Sequence, residues 1–396
     1  MEGFIYPNEA IIEWDLLIVI YPYITGLVAG AFIVSSLYHV FGIKQLKPVA
    51  RFSLVTALAF LLVAPLPLVF HLGRPERALE MFLRPNLVSA MSAFGYIWFF
   101  YLLLVLAEVW LVFRPDIVNY AKSTHGLKQT IYSALALGSY DVSPQALAAD
   151  HRLIKVLALV GIPAASLLHG YVGFIFGAVK ANPWWSTPLM PIIFLLSAVV
   201  SGIALLLVLY IVSSKLRHVP LDHECLRSMT LWLSGFLVLA LTLECLEVFS
   251  MLYESEESWD IISQLITQKL AVTYLIIQFG IGSVLSLAIL AATELVKFKE
   301  QVKTVLRFAA AIFILVGVFA MRWDVVIGGQ LVSKSLRGLS DFTPELMGQG
   351  GLLVSGAILL LPFIILSVIV HFIPPWEKEP GQAVPAKLAF QRASFK

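Results

Sequence analysis

The chain has 396 residues, 59% of them hydrophobic and only 13% charged, with a net charge of +2 at neutral pH. That balance excludes a soluble globular domain and, with no basic block, a nucleic-acid partner; it reads as an all-α integral membrane protein. The two cysteines, Cys225 and Cys245, are too few for an iron–sulfur cluster, which takes about four thiolates, and neither belongs to a haem-attachment or zinc pattern.

The acidic start (Glu2, Glu9, Glu13) lacks a basic stretch and predicts no cleavable signal peptide. After an outer N-terminal segment, 1–14, nine apolar runs are long enough to cross a bilayer: 15–41, 49–71, 90–113, 156–179, 188–214, 228–252, 268–294, 304–321 and 350–373. With the N-terminus outside, 19 of the 27 Lys and Arg residues fall on inner segments and 8 on outer ones. This asymmetry predicts a cell-membrane protein with its N-terminus out and its C-terminus in.

The first span carries Gly26 and Gly30 at a close-packing spacing, and Glu13, Trp14 and Asp15 mark its outer end. The second ends in Pro65 and Pro67 and runs into His71-Leu-Gly-Arg74-Pro-Glu76-Arg77. Beyond it, Leu79, Phe82 and Leu83 fall on one side of a short interfacial helix ended by Pro85. Glu108 lies in the inner third of the third span, before Arg114-Pro115. Residues 114–152 read as the longest polar loop, on the inner face, with an apolar patch at 134–137.

The fourth span contains Ser166-Leu-Leu-His169-Gly-Tyr171-Val-Gly-Phe-Ile-Phe-Gly177. An ionisable residue in hydrocarbon is costly unless partnered, so His169 is a functional candidate. Gly170, Gly173 and Gly177 clear bulk for a neighbouring helix or for a flat ligand such as a quinone headgroup. A histidine bonded to the next helix for packing alone explains the stretch equally well. Asn182-Pro-Trp184-Trp185 reads as an interfacial anchor. In the sixth span, Glu244 and Glu247 share one helix face, where they can relay protons, pair with an arginine or face a wet cavity. Glu254, Glu256, Glu257 and Asp260 follow in an acidic outer loop. The eighth span closes in Met321-Arg322-Trp323-Asp324 before an outer loop, 322–349, and the ninth ends in Pro374-Pro375-Trp376 before a flexible inner tail, 374–396.

Most ionisable groups within or capping the spans fall on the outer side: His71, Arg74, His169, Glu244, Glu247, Arg322 and Asp324, with Glu108 and Glu294 as inner exceptions. Such a cluster suits proton-coupled chemistry on a lipid-soluble substrate. Quinone reduction needs donors to two carbonyls and proton sources; quinol oxidation needs acceptors such as neutral histidine or carboxylate. The histidines His39, His71, His169 and His371 show no regular doubled spacing, which argues against intrinsic haem. An anion transporter selecting a sulfur oxyanion through Arg74, Arg77 and Arg322 is the competing reading, although no matched pair of broken helices is visible. A purely structural anchor would not need to bury Glu244, Glu247 and His169.

At these residues the chain resembles the NrfD/PsrC family, the quinone-interacting membrane subunits of respiratory complexes that include the polysulfide reductase membrane subunit. The resemblance rests on His71-Leu-Gly-Arg74-Pro-Glu76-Arg77, on Pro163 followed by His169 and the glycines, on Asn-Pro-Trp184-Trp185, on Glu247, and on Arg322-Trp323, in that order over almost the whole chain. Many members carry aspartate where this chain has His71. Arg-Trp-Asp-Val-Val-Ile-Gly-Gly, together with His-Leu-Gly-Arg-Pro, looks most like the DsrP branch, associated with dissimilatory sulfur metabolism and heterodisulfide-reductase-like modules.

The resemblance implies two four-helix bundles, 15–179 and 188–321, plus a ninth helix, 350–373. It implies a quinone, menaquinone by analogy with the sulfur branch, bound in the first bundle by His169 and Tyr171 with His71 and Arg74 beside it. His169, His71 and Glu247 would serve catalysis, and Glu108, Glu244, Glu247 and Arg322 a proton path. A ferredoxin-like iron–sulfur subunit would dock on the outer face and exchange electrons with the quinone, alongside other membrane and redox subunits. The chain alone is not expected to be active.

Overall fold

The computed structural model describes residues 2–7, 11–86, 88–254 and 258–376. The expectations placed on Glu9, Glu256, Glu257 and the tail from 377 onward lie outside the described residues. Among the described residues, nine helices are long and apolar enough to cross a membrane. They are α1 (Leu16–His39), α2 (Lys44–His71), α3 (Ala90–Ser123), α4 (Pro144–Gly177), α5 (Met190–Leu216), α6 (His223–Tyr253), α7 (Ala271–Leu295), α8 (Glu300–Leu331) and α9 (Leu352–Phe372). Each expected span has its helix, and the chain is an all-α, multi-pass membrane protein.

Helix α1 neighbours α2 and α4, and α3 neighbours the same two, so α1 to α4 close a ring. A second ring runs α5–α6–α7–α8 and back to α5. The rings meet where α1 and α4 lie along α5. Helix α1 is therefore the hub: 94% of its apolar window is buried, against 11% for α6. Helix α9 sits outside the first ring against α2, with Phe363 edge-on to Phe60 and Trp376 against Phe52.

Between membrane helices the solvent offers no hydrophobic drive, so backbone proximity and hydrogen bonds must hold them together. Two glycine contacts do this. A Cβ on Gly30 would lie 2.1 Å from the Ala198 carbonyl oxygen, and one on Gly202 would lie 2.4 Å from Gly30, so α1 and α5 cross backbone to backbone. Gly282 and Gly317 bring α7 and α8 equally close, 2.6 Å from an added Cβ.

Three expectations are corrected. The stretch 114–152, expected as a polar loop, is mostly helix. Helix α3 runs through Pro115 to Ser123, a short helix spans Leu127–Leu135, and α4 begins at Pro144. Ser143 caps α4, its hydroxyl accepting from the Ala146 N–H at 3.3 Å, with proline in the first turn. Salt bridges make these extensions possible: Arg114 donates to Asp150 at 2.9 Å and to the Asp141 carbonyl at 2.6 Å, and Arg51 pairs with Asp116. From the short helix the Tyr132 hydroxyl donates to the Phe372 carbonyl at the end of α9, 2.7 Å away.

Second, α8 does not stop at 321. It continues to Leu331 through a widened turn at Asp324–Gly328, so Arg322 and Asp324 are buried inside a helix rather than starting an outer loop. Third, the N-terminal segment and the loop after α8, expected without secondary structure of their own, share a short sheet. Strand β1 (Glu2–Phe4) pairs antiparallel with β2 (Arg337–Leu339), tying the N-terminal segment to the loop after α8. The expected interfacial helix is a single turn, Glu80–Leu83. Its apolar side splits: Phe82 packs on Tyr96 and Phe99 of α3, while Leu79 and Leu83 are exposed.

Candidate functional site

His169 lies at the junction of the two rings and is fully buried. Its Nδ1 is 3.3 Å from the Thr25 hydroxyl of α1, and its Nε2 is 3.1 Å from Nη2 of Arg322 of α8. A guanidinium only donates, so Nε2 must be the accepting nitrogen and Nδ1 carries the proton. Thr25 accepts that proton and passes its own hydrogen to the Tyr21 carbonyl, 3.0 Å away. The imidazole is thus held in one tautomer with both nitrogens engaged. Gly26 makes room for it: an added Cβ there would sit 3.1 Å from Cε1 of the ring.

Arg322 is the other half of this unit. Its guanidinium also donates to the Ser197 hydroxyl and lies 4.1 Å above the Phe194 ring, which in turn stacks on His169. A buried cation stacked on an aromatic face is stabilised by the ring quadrupole. Both residues stand out in the sequence but fall in separate bundles there; α8 and α4 bring them into direct contact.

In the second ring a small cavity of about 30 Å³ is lined by Glu244, Glu247, Tyr274, Gln278 and Asp324 among others, and Glu244 is in electrostatic reach of Arg322. That is room for a water or two. Glu244 accepts from the Gln278 amide at 3.2 Å, Thr273 donates to Asp324, and Thr187 bonds to Glu247. One oxygen each of Glu247 and Asp324 stays buried without a hydrogen-bond partner. The cavity is framed by widened helical turns: α7 is hydrogen-bonded five residues apart over Ala271–Leu285, and α8 over Asp324–Gly328. Such turns displace carbonyls from the regular ladder and are frequent at functional sites.

The displaced carbonyls explain Trp184 and Trp185. Both are buried, and their indole N–H groups donate to the carbonyls of Asp324 at 2.9 Å and Val325 at 2.5 Å. They are a clamp on the widened turn, not an interfacial anchor. Trp185 stacks on Trp14, whose backbone exchanges hydrogen bonds of 2.9 and 3.1 Å with the Gln330 side chain.

The glycines beside His169 face a helix, not a ligand. Cβ atoms at Gly173 and Gly177 would meet the Met190 and Thr187 carbonyls at 2.7 and 2.8 Å, so α4 packs directly on the start of α5. Tyr171 is two residues from His169, about 200° around the helix, and so faces away from it. It is half-buried, its ring lies against Phe174, and it is within electrostatic reach of Tyr21. The Tyr21 hydroxyl is buried and has no hydrogen-bond partner. His71 is at the C-terminal end of α2, with Nδ1 3.4 Å from the Asp15 carboxylate that caps α1. Arg74 is exposed and borders an open depression with Arg77 and Glu80. Glu108, in α3, is fully buried with neither carboxyl oxygen partnered. Glu294, in α7, accepts from Arg307 at 2.7 Å and Arg227 at 2.9 Å.

Thr25, Ser197, Thr273, Gln278 and Tyr21 were missed from the sequence. Their only signal was polarity inside an apolar run, which serine and threonine also show when they merely bond back to their own helix.

Fold and site together define a multi-pass helical membrane protein with ionisable groups gathered within and between two helix rings. The chain belongs to the polysulphide reductase, NrfD family, whose model matches residues 7–334. This is a family of membrane subunits of quinone-linked oxidoreductases. The chain is 30% identical to a subunit of the selenate reductase of Mesobacillus selenatarsenatis, over 93% of this chain and 87% of that protein. It is 28% identical to protein NrfD of Escherichia coli over 49% of this chain and 58% of that one. An Hdr-like menaquinol oxidoreductase integral membrane subunit of Archaeoglobus fulgidus is 23% identical over 57% of this chain and 49% of its own.

Proposed function

We propose that this chain binds menaquinone or menaquinol and exchanges its electrons with a ferredoxin-like iron–sulfur subunit docked on the outer face, in a respiratory complex linked to sulfur or related oxyanion metabolism. Its two bundles are 15–179 and 188–321, its N-terminus is outside and its C-terminus inside. Neither an iron–sulfur cluster nor a haem belongs to the chain itself. The observation that carries the reading is the His169–Arg322 contact between the two rings, with Arg322 in electrostatic reach of Glu244 in the second. A structural anchor gains nothing from burying such a unit, since charged groups in hydrocarbon are retained at a cost.

The residues present fit a quinone. The buried, unpartnered Tyr21 hydroxyl and the nearby Tyr171 are donors suited to carbonyl oxygens. When bound, the quinone supplies two-electron, two-proton chemistry. Tyr21 and Tyr171 orient the headgroup. His71 with Asp15, and Arg74, border its outer approach. His169 holds the Arg322 guanidinium in place rather than moving protons itself, because both of its nitrogens are engaged at rest. Glu244, Glu247 and Asp324 accept or release protons around the cavity, and Glu108 serves the opposite end of the first ring.

In the purified complex, His169→Ala is expected to cut quinol-dependent electron transfer at least tenfold with assembly intact. Wild-type turnover in that variant would remove His169 from the mechanism. The anion-transporter alternative draws on Arg74 and Arg77 at the surface; anion uptake by liposomes holding the chain would support it.

A further inference from the structure

Three helix ends meet at a pocket that the proposed function does not use. Helix α2 starts there with Lys47, α5 closes there with Tyr210, Ser214 and its capping Arg217, and the chain leaving α9 supplies Pro375 and Trp376. The cavity measures about 230 Å³. Trp376 lies against Phe52 with ring centroids 4.9 Å apart, which holds it to α2. Arg217 reaches across to it: the guanidinium carbon is 3.7 Å from the centroid of the Trp376 ring.

Stacking occupies the face of a guanidinium and leaves the N–H groups on its edge to donate. Arg217 makes no hydrogen bond or salt bridge among the described residues, and its electrostatic neighbour is Tyr210. The Tyr210 hydroxyl accepts from the Asp222 N–H at 3.3 Å, so its own hydrogen is left to donate. The nearby Asp222 carboxylate is turned to the start of α6, where it accepts from the Glu224 and Cys225 N–H groups at 2.9 and 3.0 Å. Lys47 adds a second positive charge to the lining. The pocket thus offers two cations and two hydroxyls beside an aromatic wall. The forked edge of a guanidinium matches two oxygens of a phosphate at once.

The surroundings fit a lipid better than a dissolved anion. Val212 and Leu216 are exposed one turn apart at the end of α5, as are Val368 and Phe372 at the end of α9. An anion held here sits at the edge of the hydrocarbon, the level at which tryptophan gathers in membrane proteins. Basic pockets between membrane helices suit acidic headgroups. We propose that this pocket binds the phosphate of an anionic phospholipid, with Arg217 and Lys47 on its oxygens and the Tyr210 hydroxyl donating beside them. The lipid then links α9, which stands outside the first ring, to α2 of that ring and α5 of the other. This inference is independent of the quinone reading.

Thermal unfolding of the complex, purified in an uncharged detergent and stripped of lipid, tests this. A ligand that binds the folded state raises the melting temperature with its concentration. Phosphatidylglycerol should do so saturably, and phosphatidylcholine and inorganic phosphate should not. In Arg217→Gln and in Lys47→Gln the phosphatidylglycerol concentration giving half the shift should rise by roughly tenfold or more, the scale of one lost charged hydrogen bond. Lys303→Gln removes a positive charge that does not line the pocket and should behave as the wild type. If Arg217→Gln fails to assemble, Lys47→Gln decides alone. Equal responses to phosphatidylglycerol and phosphatidylcholine would overturn the anionic headgroup. An unchanged half-shift concentration in the pocket variants would overturn the pocket. A response to inorganic phosphate as strong as that to phosphatidylglycerol, and lost in Arg217→Gln, would assign the pocket to a soluble phosphate and overturn the lipid.

Discussion

Arg322 is the residue on which the functional reading turns. Removing Arg322 alone strands the buried groups it donates to, His169 Nε2 and the Ser197 hydroxyl, which is destabilising. Arg322→Met is therefore expected to lower the melting temperature and also to lower quinol-dependent turnover by roughly 10- to 100-fold, the scale of a lost charged hydrogen bond of about 1.5–3 kcal/mol. A fall in melting temperature with turnover preserved would make Arg322 a packing residue. Thr25→Val removes the acceptor of the His169 Nδ1 proton and leaves a buried donor unpaired, so it should cost about 1–3 kcal/mol in thermal unfolding. His169 was legible in the sequence because an ionisable residue inside an apolar run stands out by its cost. Its partner was not, because Arg322 is 153 positions away and stands where α8 had been expected to end.

Among the elements, the apolar runs located all nine helices, since about 20 such residues in a row have little other use. Their extents were less legible. The extensions of α3 and α4 are polar and read as loop, and only the pairing of Arg114 with Asp150 and Arg51 with Asp116 in three dimensions makes them helix. Widened turns leave no mark on composition, so neither the stretch in α7 nor the one in α8 was visible. The tryptophan pair that clamps the turn in α8 therefore resembled a membrane anchor. Trp184→Phe and Trp185→Phe keep ring packing but strip the indole donors from the Asp324 and Val325 carbonyls. Each is expected to cost about 1 kcal/mol or more. The double variant should lower the melting temperature of the complex more than either single one. The Gly30–Gly202 crossing allows no side chain at all, so Gly202→Ala should block stable assembly, read as loss of the monodisperse complex in size-exclusion chromatography.

For the molecule as a whole, the two rings differ in what they bury. The first holds the tyrosines and His169, the second the carboxylate cavity, and α1 and α5 weld them together at glycine. The proposed orientation rests on charge alone, and it predicts that single cysteines at surface positions before α1 and between α2 and α3 are labelled from the outside of intact cells, with one between α3 and α4 protected. The most direct measurement is equilibrium binding of a quinone-site inhibitor to the purified complex, in wild type and in Tyr171→Phe and His169→Ala. Saturable binding at a single site per chain, weakened at least tenfold by these changes, is the expected result. No saturable binding to the wild type would contradict the quinone function itself.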